Sequence, residues 1–236
     1  DGIVRGLDGE INLNEFNNKW AASKLKATFG GSFVSKYQAD RDPIYNLPEN
    51  VGGWAARTTL NYGNWMLSGE YAYKVNDPST VNKMIYKPGE ALFASLSYSK
   101  KGFGITLSAK RIDNMNYRSD RTATGNVLTM NYLPALTKPH SYTLLAFYPY
   151  ASQPNGEMAF QGQLNYKIKK DTKRGGHYGT DIAVNYSRAN AIDMQQVDDT
   201  TTIMESGTTG YKSDFFAIGD ELYFEDFNVE ISHKFS

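Results

Sequence analysis

The chain contains no cysteine, which excludes disulfide frameworks, thiolate zinc centres and cysteine nucleophiles together. It also lacks net charge: 25 Lys and Arg balance 25 Asp and Glu. That balance argues against a nucleic-acid partner, whose binding site is usually basic. No apolar run approaches the ~20 residues of a spanning helix, and a helical 3.6-residue period is almost absent. Histidine is scarce. His140, His177 and His233 stand far apart in the sequence, so no metal triad is expected. No His-x-x-x-His, Gly-x-Ser-x-Gly, Walker A or dinucleotide fingerprint occurs. The expectation is therefore no enzyme, no catalytic residues, no cofactor and no metal. The chain opens at Asp1 without a basic n-region or apolar h-region, as expected after removal of a signal peptide.

What is present is aromatic and alternating. There are 17 Tyr and 12 Phe, and the dominant period is two residues, the signature of half-buried strands. Clear blocks of alternation run over 24–36, 52–62, 65–75, 91–100, 103–113, 140–148, 157–169, 178–188 and 221–235, with weaker ones at 3–13 and 125–132. One face of each clear block is apolar, for example Leu92, Ala94, Leu96 and Tyr98, or Phe227, Val229, Ile231 and Phe235. The other face is small and polar, as in Ser95, Ser97 and Ser99, or Gln161, Gln163 and Asn165.

Two hairpins can be registered by arithmetic. Gly63-Asn64 suits a two-residue turn with glycine first. It pairs Tyr62 with Trp65, Leu60 with Leu67 and Trp54 with Tyr73 on the apolar face, and sets Arg57 opposite Glu70 on the polar one. A turn at Lys101-Gly102 pairs Tyr98 with Ile105 and Leu96 with Leu107, with Ser97 opposite Thr106 and Phe93 opposite Lys110. A slip of one residue would exchange the faces of every side chain. The connections alternate between short and long, which places the long loops at one end of an antiparallel meander.

Together these features predict one all-β domain over 1–236, an antiparallel transmembrane β-barrel of outer-membrane type with about 10–12 strands. Such barrels alternate apolar-out with polar-in and carry short turns, long loops and aromatic girdles. The eleven blocks sit awkwardly with the even strand numbers of bacterial single-chain barrels, so either one block is not a strand or the chain is part of a larger barrel. Girdle or lipid-facing residues are Trp54, Tyr62, Trp65, Tyr73, Tyr98, Tyr148, Tyr166 and Tyr186. Lumen-lining candidates are Arg57, Glu70, Lys110, Asp181 and Asn185, with Lys74 and Lys167 among the charges. Arg57–Glu70 is expected to form a cross-strand pair. The acidic, aromatic loop 189–220 offers Phe215 and Phe216 as candidates to dock a partner or fold back onto the barrel. A soluble β-sandwich also alternates, and a carbohydrate-binding sandwich is the reading that would need no membrane.

The segment 131–142, running from Asn131-Tyr132-Leu133-Pro134 to His140-Ser141-Tyr142, resembles an uncharacterised family of Bacteroidota outer-membrane barrel proteins. So do Tyr166-Lys167-Ile168-Lys169-Lys170, Gly175-Gly176-His177-Tyr178-Gly179-Thr180 and Val184-Asn185-Tyr186-Ser187. The resemblance covers roughly 90–190 and implies a bacterial outer-membrane location and a longer parent chain, but no activity. The partners expected are outer-membrane lipid, lipopolysaccharide and other outer-membrane proteins. A structural or accessory subunit is expected, with a passive porin for small polar solutes as the alternative.

Overall fold

The computed structural model describes residues 2–123, 127–140, 142, 144 and 150–234. Nine strands form one sheet in chain order, and every neighbouring pair is antiparallel. They are β1 (Ile3–Asn12), β2 (Leu25–Tyr37), β3 (Asn50–Tyr62), β4 (Trp65–Lys74), β5 (Gly89–Lys100), β6 (Phe103–Asp113), β7 (Gly156–Ile168), β8 (Thr180–Ile192) and β9 (Ile218–His233). The sheet is open: β1 and β9 are its two edges.

The strand count differs from the sequence expectation for one reason. β6 pairs directly with β7 across the whole of 114–155, so nothing is inserted between them. Among the described residues of the block 125–132 there is an isolated bridge, Arg118 with Thr129, and no strand. Most of the block 140–148, with Tyr148, lies outside the described residues, as does Phe235. All nine strands belong to one sheet, whereas a β-sandwich needs two.

Both hairpins adopt the arithmetic register, including Leu60 with Leu67, Arg57 with Glu70, Leu96 with Leu107 and Phe93 with Lys110. Gly63 has φ +57° and Gly102 φ +78°, left-handed conformations that glycine adopts without a Cβ penalty. The loop asymmetry holds in part, since 13–24 and 169–179 are about as long as 38–49 while the two longest connections share the other end. Connections 13–24, 63–64, 101–102 and 169–179 lie at one end, and 38–49, 75–88, 114–155 and 193–217 at the other. The 13–24 connection includes one short helix, α1 (Asn18–Ala21), capped by the Asn17 side chain.

The two faces have different fates. The apolar face is uncovered over most of its height: Leu7 is 76% exposed, Phe227 65% and Ile231 67%. Burial concentrates at the long-loop end, on both sides of the sheet. On the polar side, Ala159, Ala189 and Leu136 cluster with Phe93, Tyr150 and Phe224. On the other side, Met158 and Ile192 are covered by Ile85 and Tyr211 from the loops.

Candidate functional site

Along the polar face, hydroxyl and amide side chains bond across neighbouring strands. Ser97 meets Thr106 at 3.0 Å, Ser108 donates to Ser95 at 3.1 Å, and Gln161 donates to Asn185 at 2.9 Å. Asn185 is buried and passes the chain on to Ser187. Lys167 and Asp181 pair at 3.1 Å near the short-turn end, where both are exposed. Buried polar groups require such partners, because an unsatisfied donor or acceptor costs ~1–3 kcal/mol.

The predicted Arg57–Glu70 ion pair does not form, although the two residues face one another in register. The guanidinium turns the other way, to Asp8 at 2.7 Å and Glu10 at 3.5 Å on β1. It crosses Gly30 to get there: a Cβ on residue 30 would lie 2.5 Å from the Arg57 Nε. The missing side chain of β2 thus opens a path from β3 to β1. Glu70 is left exposed, with no ion pair among the described residues.

At the long-loop end the polar face carries buried charge. Lys36 pairs with Asp77 at 2.6 Å and Lys110 with Glu157 at 2.6 Å, all four side chains being nearly inaccessible. Lys74 donates to the Asn116 carbonyl at 2.8 Å. Lys110 also donates to the Pro134 carbonyl and Ser152, and Glu157 accepts from Tyr150 and the Gln153 amide. Lys110 is therefore neutralised inside the fold rather than lining an open channel. On the opposite side Arg111 bridges Glu90 and Asp113, and its guanidinium lies 4.7 Å from the Phe215 ring centre. Phe215 folds back in this way, while Phe216 remains 85% exposed.

One connection organises the whole polar face. Residues 114–155 begin over β2 and β3, where the Tyr117 hydroxyl donates to the Val51 carbonyl at 2.7 Å and the Val34 carbonyl at 3.2 Å. The connection ends over β7–β9: Lys138 pairs with Glu230, His140 lies 3.6 Å from Asp226, and Tyr150 packs on Phe224. Burial pushes the Tyr117 hydroxyl up to about 12, so it stays a donor. Tyr150 is raised by burial and by its bond to Glu157, and Tyr211 by burial and Asp113. The loop is fastened by neutral hydroxyl donors and paired charges. Beneath it a cavity of about 490 Å³ remains between loop and sheet, bordered by Ala72, Ala91, Glu70 and Met130.

The girdle candidates stand on the other face at two heights. Tyr62, Trp65 and Tyr98 are neighbours near the short turns, with Trp65 and Tyr98 rings 4.8 Å apart, and Tyr166 lies at the same end. Trp54 packs on Tyr71 and Tyr73, each at 5.8 Å, towards the loops. Tyr186 is the exception: it stands at neither height, level with Leu107 through Gly162, and donates to Glu225.

A model of a family of unknown function, DUF6029, matches residues 1–236, the whole chain. The chain belongs to this family. Neither a curated protein nor a solved structure matches it. The site of this DUF6029 protein must therefore be read from its own geometry. Among its described residues no group of three or more His, Asp or Glu could hold a metal. Its histidines have separate partners: His140 with Asp226, His177 with Asp171 and His233 with Thr180. The charges missed in the sequence, Lys36, Asp77, Asp113 and Glu157, had one legible signal. Each sits at or just beyond a strand end that leads into or out of a long loop.

Proposed function

We propose that this DUF6029 protein is a lipid-embedded antiparallel sheet of the bacterial outer membrane, forming part of a β-barrel wall. In this reading it is a non-enzymatic structural or accessory subunit of an outer-membrane assembly, contacting lipid, lipopolysaccharide and other outer-membrane proteins. The supporting observation is the uncovered apolar face, continuous over nine strands from Leu7 to Ile231. Soluble monomers rarely expose contiguous apolar patches beyond a few hundred Å². The two aromatic heights fit a bilayer. Trp54 and Tyr62 are eight residues apart on β3, about 26 Å along the strand, which a ~40° tilt shortens to about 20 Å. The expected apolar band is about 25 Å tall.

Passive diffusion of solutes is the less supported alternative. The 114–155 connection lies across the polar face from β2 to β9, and the buried lysines beneath it are already held by Asp77, Glu157 and loop carbonyls, so a lumen on that side is largely occupied by the chain itself.

The test is fluorescence quenching in liposomes of lipids brominated at defined chain depths. In a W20F background Trp54 and Trp65 should both be quenched by shallow bromines, and Phe160→Trp, in the row midway between them and in a W20F/W54F/W65F background, by deep ones. No quenching at any depth would overturn the membrane reading.

A further inference from the structure

The cavity under the long loop has a floor built from missing bulk. Ala55, Ala72 and Ala91 stand side by side in register on β3, β4 and β5, followed by Ile112 on β6. With neighbouring strands about 4.8 Å apart, the three alanines form a trench about 10 Å long, closed at β6 by the buried Ile112. These positions belong to the polar face, yet they are apolar and small, unlike the serines nearer the short turns. Met115, Met130 and Leu133 of the 114–155 connection line the space above. The resulting volume of about 490 Å³ lies within the ~300–1,000 Å³ of ordinary small-molecule sites. Methionines suit a wall that must adapt to a guest. Ordered water would need two to four polar partners, and the trench walls supply few.

Two charged side chains border the cavity, Glu70 and Lys110, and they differ in what remains to be satisfied. The Lys110 ammonium is already held by Glu157, Ser152 and the Pro134 carbonyl. The Glu70 carboxylate has no ion pair among the described residues, because Arg57, which faces it, is committed to Asp8 and Glu10. The apolar trench is therefore flanked at its middle, two residues along β4 from Ala72, by one uncompensated negative charge.

We infer that this trench is a binding site for an apolar molecule carrying a single cationic group on a short arm, with its body on Ala55, Ala72 and Ala91 and its ammonium reaching along β4 to Glu70. The inference concerns the polar face and stands independently of what covers the apolar one.

Two probes of one shape test it: 4-phenylbutylamine and the neutral 4-phenylbutan-1-ol, titrated into amphipol-held protein by ligand-observed NMR. The amine should bind about tenfold more tightly, ~1.4 kcal/mol. Glu70→Gln, at an exposed position, should bring the ratio close to one while leaving alcohol affinity in place. Ala72→Leu or Ala91→Leu should weaken both probes at least tenfold by filling the trench, each serving as the check if the other does not fold. Equal affinities in the parent protein, no binding of either probe, or affinities unchanged in a folded filling variant would overturn the inference.

Discussion

Lys110 and Glu157 show how much one side chain can carry here. Both are nearly inaccessible, and their charges meet at 2.6 Å between the sheet and the loop above it. Removing one member of a buried pair leaves the other's charge without compensation, at ~3–5 kcal/mol. Lys110→Met should therefore cost about that much in urea-unfolding free energy measured in micelles. Adding Glu157→Gln should recover most of the loss, because the amide oxygen can still accept from Tyr150 and the Gln153 amide. A single variant within 1 kcal/mol of the parent would show that water reaches the pair. Arg57 shows the limit of sequence reading at this scale. Its cross-strand neighbour was legible from the turn at Gly63-Asn64, but its ionic partner was not. That partner depends on Gly30, whose role in letting a guanidinium pass emerges only when β1, β2 and β3 lie together.

At the scale of elements, hairpins and loops differ in what pins them. β3–β4 and β5–β6 were readable because tight turns and alternating faces each allow one register, and both conditions agree. The 114–155 connection misled the block count because it too carries apolar residues, Met130 and Leu133 among them. It spends these on covering the polar face rather than on forming a strand. Its fastening to the neighbouring loop 38–49 includes a titratable joint. Asp120 accepts from the Thr122 amide, the Thr122 hydroxyl and Gln38, and these bonds hold its carboxyl below the usual carboxylate range. The folded value is depressed, so the joint contributes its full stability above the unfolded value of ~3.9 and loses it as pH falls below that, through the folded value. Hydrogen exchange at Arg121 and Thr122 should quicken below about pH 4, and Asp120→Asn should flatten that dependence. An unchanged profile in the asparagine variant would assign the loosening to another group.

At the scale of the molecule, the apolar face was the most legible feature, since a period of two places every second residue on one side. The open edges were not, because pairing across a seam leaves no local pattern. The membrane reading makes a directional prediction here. Leu107 faces outward on β6 between the two aromatic heights and is 52% exposed. Leu107→Arg should cost ~1–3 kcal/mol for folding into a bilayer if that face meets acyl chains, its depth lying between the midplane and the interface. Facing water, the same change would fall within about 0.5 kcal/mol of neutral. Urea titration of folding into liposomes distinguishes the two.

The number nine carries a consequence of its own. In a meander the chain reverses at every step, so strands of odd number all ascend and those of even number all descend. β1 and β9 therefore point the same way, and joining them directly would make a parallel seam in an otherwise antiparallel wall. A second copy set beside the first, with its long loops on the same side, would meet it through the same parallel contact. Closing the wall with every neighbour reversed takes an odd number of additional strands, and the smallest such ring has ten.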